Sequence, residues 1–228
     1  MKSEAIVELG KPLQTVETET PTPKGKEVLL KITHSGVCHS DVHIHDGYFD
    51  LGGGNKLPVG AMLNLPHTMG HEIEGEVVSI GSDVKDVEIG SNVVAYPWIG
   101  CGNCSTCSDG DEHYCNAPRQ LGIQLPGGFA DYCIVPDSKY ILDYDGIRPG
   151  LAATYMCSGL TAFGALKKIV NISDKDHILI MGLGGVGMMG LQFAKSLFNC
   201  KILAADIDPN KLQAAKGAGA DEIYDTSD

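Results

Sequence analysis

Four cysteines, Cys101, Cys104, Cys107 and Cys115, are spaced C-x2-C-x2-C-x7-C. Four thiolates this close can close a tetrahedral metal site with no open position, which staples a loop and does no chemistry. Gly100, Gly102 and Gly110 supply the turns that such a loop needs. The spacing alone leaves zinc and an iron–sulfur cluster both open, since thiolates hold either. A nucleic-acid zinc ribbon is disfavoured, because Asp109-Gly110-Asp111-Glu112 makes the lobe acidic.

A second set of donors is scattered. Cys38-His39-Ser40-Asp41-Val42-His43 and Gly70-His71-Glu72 are weak signals separately, because a lone cysteine is usually a small core residue. With Cys157 they offer two thiolates, an imidazole and a neighbouring carboxylate. Three protein ligands and an open fourth position are the layout of a catalytic zinc. Cys133, inside a β-rich run, and Cys200, just before one, read as core; His67 and His113 read as non-ligands.

Gly182-Leu183-Gly184-Gly185-Val186-Gly187 fits G-x-G-x-x-G, follows the apolar run Ile178–Met181 and opens a helical pattern. Asp206 lies 19 residues past Gly187, at the end of the next apolar run. That context is the dinucleotide fingerprint: a tight turn, close backbone approach to a pyrophosphate, and a helix N-terminus facing its charge. An acidic side chain at the ribose favours NAD over NADP, whose 2′-phosphate it repels.

The elements that must position these groups divide the chain. Residues 1–152 read as a β-rich, barrel-like domain, with short runs at Val28–Ile32, Ile73–Ile80, Asn92–Tyr96 and Phe129–Val135 punctuated by Gly, Pro and Asp. The stretch His45–Pro66 reads as a long irregular loop. Residues 153–228 alternate: helix Ala162–Val170, strand His177–Met181, helix Val186–Phe198, strand Lys201–Ala205, helix Pro209–Gly217 and strand Glu222–Tyr224. Alternation of this kind means a parallel α/β sheet.

Composition excludes several classes. Of 228 residues, 17 are Lys or Arg and 29 are Asp or Glu, and a net charge of −12 argues against a general nucleic-acid binder. A 43% hydrophobic content is enough for a packed core. Ile178 to Ala194 carries no charge, but its five glycines and Gln192 suit a strand, turn and helix better than a membrane span. The start, Met1-Lys2-Ser3-Glu4, has no apolar run of a secretory signal, so a reducing cytoplasm is expected, where clustered thiols bind metal.

Together these stretches resemble the zinc-dependent alcohol dehydrogenases of the medium-chain dehydrogenase/reductase family, above all its tetrameric microbial members. The resemblance runs from Gly10-Lys11-Pro12 to Ala218-Gly219-Ala220-Asp221 and includes Gly36-Val37-Cys38-His39-Ser40-Asp41 and Cys157-Ser158-Gly159-Leu160-Thr161. It implies a GroES-like β-barrel catalytic domain followed by the first half, three strands, of a Rossmann domain. It implies a structural zinc on Cys101, Cys104, Cys107 and Cys115. It implies a catalytic zinc on Cys38, His71 and Cys157, with Glu72 as a conditional ligand and Asp41 orienting the histidine. Ser40 then takes the substrate proton and His43 passes it to solvent, with His45 as a rival relay residue and a plain helix cap as the rival role for Ser40. Beside the glycine loop (Gly182, Gly184, Gly185, Val186, Gly187), His39 matches a pyrophosphate neighbour, Thr161 a nicotinamide neighbour, and Asp206 and Lys211 ribose contacts. The implied reaction is oxidation of a primary or secondary alcohol to an aldehyde or ketone with hydride transfer to NAD+, by a homo-oligomer, dimer or tetramer.

Against the family pattern, only three strands of a six-stranded dinucleotide sheet are expected before Asp228. Two expectations follow. Either the chain is a fragment or early end of a longer dehydrogenase, or it is a non-catalytic zinc-holding protein with half a cofactor site. NADH formation by the 228 residues would favour the first, but these residues alone are expected to form none from simple alcohols.

Overall fold

A computed structural model describes residues 1–227; Asp228, the last residue of the expected second domain, lies outside the described residues. The chain separates into two compact units, Met1–Met156 and Cys157–Asp228.

The first unit is mostly β. Strands β1 (Lys2–Ile6) and β2 (Gln14–Glu17) are followed by β3 (Val28–Gly36) and helix α1 (His39–Asp46). The stretch expected to be an irregular loop holds a short antiparallel pair, β4 (Tyr48–Asp50) and β5 (Lys56–Pro58), and a single 3-10 turn. Then come β6 (His67–Thr68), β7 (Glu72–Ile80), β8 (Asn92–Ala95), a one-turn helix α2 (Ser105–Ser108), β9 (Tyr132–Val135) and β10 (Ile141–Leu142). Five strands form a sheet in the order β10-β8-β7-β3-β9, and β2-β1-β6 form a second. Val28, Leu30, Ile73, Val77, Val93, Leu121 and Val135 fill the core of the larger sheet. All but Leu121, which comes from a loop, are apolar positions of β-rich runs, and each such buried side chain contributes roughly 1.5–3 kcal/mol.

Register then does the positioning. Strands β3 and β7 run antiparallel, with Gly36 opposite Glu72. The end of β3 therefore lies beside the start of β7. The residues just outside this pair, Cys38 and His71, come from distant sequence to one place.

The second unit is α/β. Helix α3 (Ser158–Leu166) precedes strand β11 (His177–Met181), α4 (Gly185–Leu197), β12 (Lys201–Asp206), α5 (Pro209–Gly217) and β13 (Glu222–Asp225). The three strands are parallel, in the order β11-β12-β13. Leu166, Ile178, Leu191, Ile202 and Leu212 pack between sheet and helices. Helix α3 departs from the expected Ala162–Val170. It begins immediately after Cys157, and the β-branched Ile169-Val170 falls outside it, ahead of Asn171 with its left-handed φ of 59°. Among the described residues, no helix is long and apolar enough to cross a membrane.

Candidate functional site

Cys38 caps α1 with an extended backbone (φ −95°, ψ 154°). Its N–H donates to Asp41 Oδ2 at 2.9 Å, so the third residue of the helix reaches back to satisfy its start. The other oxygen of Asp41 accepts from His71 Nδ1 at 3.2 Å and from the Gly70 N–H at 3.3 Å. Asp41 is 2% exposed and His71 0%. A buried carboxylate held by three donors fixes the ring plane of His71 through Nδ1. Burial alone would lower the pKa of His71. The hydrogen bonds that the ring makes to Asp41 and to the Cys38 sulfur outweigh it and raise the value to about 9. The Trp98 ring packs 5.6 Å from that of His71.

Around this pair, Glu72 is buried beside Gly36, where a Cβ would come 2.0 Å from Glu72 Oε2. Ser40 lies inside α1, so Cys38 and not Ser40 holds the cap. The exposed ring of His39 and the half-buried ring of His43, one turn apart, are 4.7 Å centroid to centroid, and His43 also meets Phe49 at 4.8 Å. The rival His45 has both nitrogens engaged, Nε2 with Lys11 O at 2.7 Å and Nδ1 with Asp46 Oδ1 at 3.1 Å. Cys157 is the buried first residue of the second unit. It follows Met156, whose carbonyl accepts from Trp98 Nε1 at 2.8 Å.

The four-cysteine lobe converges. The Sγ atoms of Cys101, Cys104, Cys107 and Cys115 all lie within 4.8 Å of one another. The pairs Cys104–Cys107, Cys104–Cys115 and Cys101–Cys107 are 3.5, 3.8 and 3.9 Å apart. A tetrahedron with metal–sulfur bonds of about 2.3 Å has edges of about 3.8 Å, so the donor set fits a single ion. A four-iron, four-sulfur cluster, with one iron per thiolate, spreads its ligands wider. The N–H of Asn103 donates to Cys101 Sγ at 3.4 Å and that of Ala117 to Cys115 Sγ at 3.3 Å, both bonds that favour thiolates. The Asn103 bond and the neighbouring thiols bring Cys101 down to about 6, while burial pushes Cys107 up to about 11. Glu112 docks the lobe: it accepts from Lys139 Nζ at 2.5 Å and from the Tyr140 hydroxyl.

The remaining thiols and His67 behave as core. Burial pushes Cys133 up to about 12, and Cys200 is 4% exposed. His67 is buried against Gly122 O at 3.1 Å. His113, exposed, lies with its ring 4.0 Å from that of Tyr114 and tilted to it by 46°.

In the second unit, Gly182, Leu183 and Gly184 link β11 to α4, which Gly184 caps and which Gly185, Val186 and Gly187 open. A Cβ on Gly187 would sit 1.8 Å from Gly182 O, so only glycine lets helix and loop approach this closely. A Cβ on Gly184 or Gly185 meets nothing within 4 Å, leaving that face of the loop open to a ligand. Asp206, at the end of β12, accepts from Leu183 N–H at 2.6 Å and Asp208 N–H at 2.9 Å. Those bonds hold its carboxyl below the ordinary range, with nearby Lys211 adding to the effect. With a further backbone bond from Ile207, the carboxylate still keeps lone-pair capacity for a ligand hydroxyl. Lys211 and Thr161 are exposed, and the Thr161 N–H donates to Cys157 O at 2.9 Å.

Sequence reasoning passed over Glu74 and read Glu112 only as part of the acidic stretch of the lobe. The signal for Glu74 was a carboxylate inside the apolar run that begins at Ile73.

The comparisons with known proteins agree with this layout. A family model for the alcohol dehydrogenase GroES-like domain matches residues 24–144. The NAD-dependent alcohol dehydrogenase of Sulfurisphaera tokodaii is 39% identical over 227 residues, covering 100% of this chain and 65% of the relative. That of Saccharolobus solfataricus is 39% identical over 228 residues with the same shares. A cobalt- and zinc-bound thermostable alcohol dehydrogenase from Pyrobaculum aerophilum superposes with a TM-score of 0.83 at 30% identity, over 98% of this chain and 65% of that one. The chain thus spans 65% of the length of these curated relatives. On a match that takes in more than half of its residues, the chain belongs to the alcohol dehydrogenase GroES-like domain family.

Proposed function

We propose that the protein carrying this chain is a zinc-dependent alcohol dehydrogenase, which oxidises primary or secondary alcohols and passes hydride to NAD+. The observation that carries the reading is the buried Asp41–His71 pair beside Cys38, an imidazole held in one orientation next to a thiol.

Two zinc ions per chain fit the donors. Cys101, Cys104, Cys107 and Cys115 form a closed, structural set. Cys38, His71 and Cys157 form the open catalytic set, with Glu72 as a conditional fourth ligand. Support for Cys157 is its place directly after Met156, which Trp98 ties beside His71. A zinc ion held there supplies Lewis acidity that lowers the pKa of a substrate hydroxyl. NAD+ supplies the hydride acceptor.

The chain's own residues do the rest. Asp41 orients His71. Ser40 accepts the substrate proton, and His43 carries it toward solvent. Gly182, Gly184, Gly185, Val186 and Gly187 present backbone N–H groups to the pyrophosphate, with His39 nearby. Asp206 and Lys211 bind the adenosine ribose, and Asp206 disfavours a 2′-phosphate. Thr161 lies beside the nicotinamide. Lobe thiols 3.5–3.9 Å apart, far beyond a disulfide bond, suit a reducing cytoplasm. The resemblance further supports a homo-oligomer.

The test is NAD-dependent oxidation of a panel of primary and secondary alcohols by the whole protein that carries this chain, with His71→Ala as control. Turnover lost in the variant supports the reading; turnover unaffected by it sinks the reading. Zinc and NAD bound without turnover would favour a non-catalytic zinc-holding protein.

A further inference from the structure

Glu74 has no part in the reading above. Its side chain, in β7, is 1% exposed. Both carboxylate oxygens accept from the Gly150 N–H, at 3.1 and 3.0 Å. The Tyr144 hydroxyl donates to Oε1 at 3.1 Å, and half-exposed His34 meets the same oxygen through Nδ1 at 3.1 Å. A buried carboxylate is costly unless its oxygens are satisfied, so this set is a firm anchor. Apart from His34, its donors come from one segment, residues 144–150.

That segment leads straight into a 3-10 helix, Ala152–Met156, in which Ala152 and Ala153 are each 1% exposed. The far end of the helix is tied as well, by the Trp98–Met156 bond. At the near end, Gly150 has a φ of +81°, and a Cβ there would come 3.2 Å from the His34 ring. Two anchors, Glu74 and Trp98, therefore bracket a helix with little slack. The residue that follows it is Cys157.

We infer that Glu74 is a positioning residue for Cys157: through Gly150 it fixes the helix Ala152–Met156 and thus the backbone from which that thiolate is offered. The inference rests on the reading that Cys157 ligates zinc, and names what sets its place. Glu74 acts through this segment and takes no part in the chemistry.

The experiment is site-resolved alkylation of the zinc-loaded chain with iodoacetamide, followed by mass spectrometry. Cys133, buried and not a proposed ligand, reports whether the chain stays folded. Zinc should protect Cys157 in the unsubstituted chain. In Glu74→Ala, Cys157 should react at least about tenfold faster while Cys133 stays unreactive, the scale expected when an outer support of a metal ligand is lost. Glu74→Gln, which keeps an acceptor for Gly150, should restore most of the protection. Cys157 equally protected in Glu74→Ala overturns the inference. Cys157 unprotected by zinc in the unsubstituted chain overturns the zinc reading beneath it instead. If Glu74→Ala also exposes Cys133, Tyr144→Phe decides. It removes one hydrogen bond; a severalfold faster reaction of Cys157 alone supports the inference, and an unchanged rate overturns it.

Discussion

Asp41 and His71, 30 residues apart in sequence, meet through Oδ1 and Nδ1 at 3.2 Å, and their side chains are only 3% and 0% exposed. The same carboxylate ties down the start of α1 through the Cys38 N–H. One buried side chain thus sets both the imidazole and the thiol of the proposed catalytic set. Asp41→Asn keeps the shape and removes the charge. It is expected to weaken zinc retention at that site by about 10–100-fold, read by chelator competition, and to leave the four-cysteine site unchanged. Equal loss at both sites would contradict the assignment.

Gly36 keeps room for the Glu72 carboxylate, since a Cβ there would come 2.0 Å from Oε2 and 2.9 Å from Glu72 Cβ. Gly36→Ala must push Glu72 aside. The expected cost is on the order of 1–3 kcal/mol in urea unfolding, as for an overpacked core.

Two glycines of the second unit should respond oppositely to alanine. At Gly187 the new methyl meets a backbone carbonyl at 1.8 Å; at Gly164, inside α3, it meets nothing within 4 Å. Gly187→Ala should reduce NAD affinity at least about tenfold in a fluorescence titration, a loss of about 1.4 kcal/mol or more. Gly164→Ala should raise helix stability by about 0.5–1 kcal/mol and leave NAD affinity alone.

Burial lowers the pKa of His67, an effect its bond to Gly122 O only partly offsets. The folded state therefore takes up a proton less readily than the unfolded one. The resulting stability is present above the ordinary histidine value, about 6.5, and is lost as pH falls from there through the folded value. Unfolding midpoints measured across this range should drop toward acid, with a slope of at most about 1.4 kcal/mol per pH unit from this group. His67→Gln should flatten that slope.

How much was legible depends on how local the cause is. Strand β11 and helix α5 lie where expected, because an apolar run or a proline at the first turn marks them. Strand β2, Gln14-Thr15-Val16-Glu17, carries little apolar signal and owes its form to pairing with β1, Lys2 opposite Glu17. The start and extent of helix α1 were not legible, because it is polar and is secured by the Asp41–Cys38 cap rather than by Ser40. The metal donors were legible because their types and spacings are unusual in any chain. Glu74 was not, since its role depends on Gly150, 76 residues away. Only the folded chain shows that a carboxylate in a strand meets a backbone N–H so far along.

The account turns on two separate metal sites of different chemistry, so metal content per chain, by elemental mass spectrometry on folded protein, tests it most directly. The account predicts two zinc per chain, falling to one in His71→Ala and to one in Cys104→Ser, by loss from different sites. Iron in place of zinc, or folded protein with no metal, would contradict it.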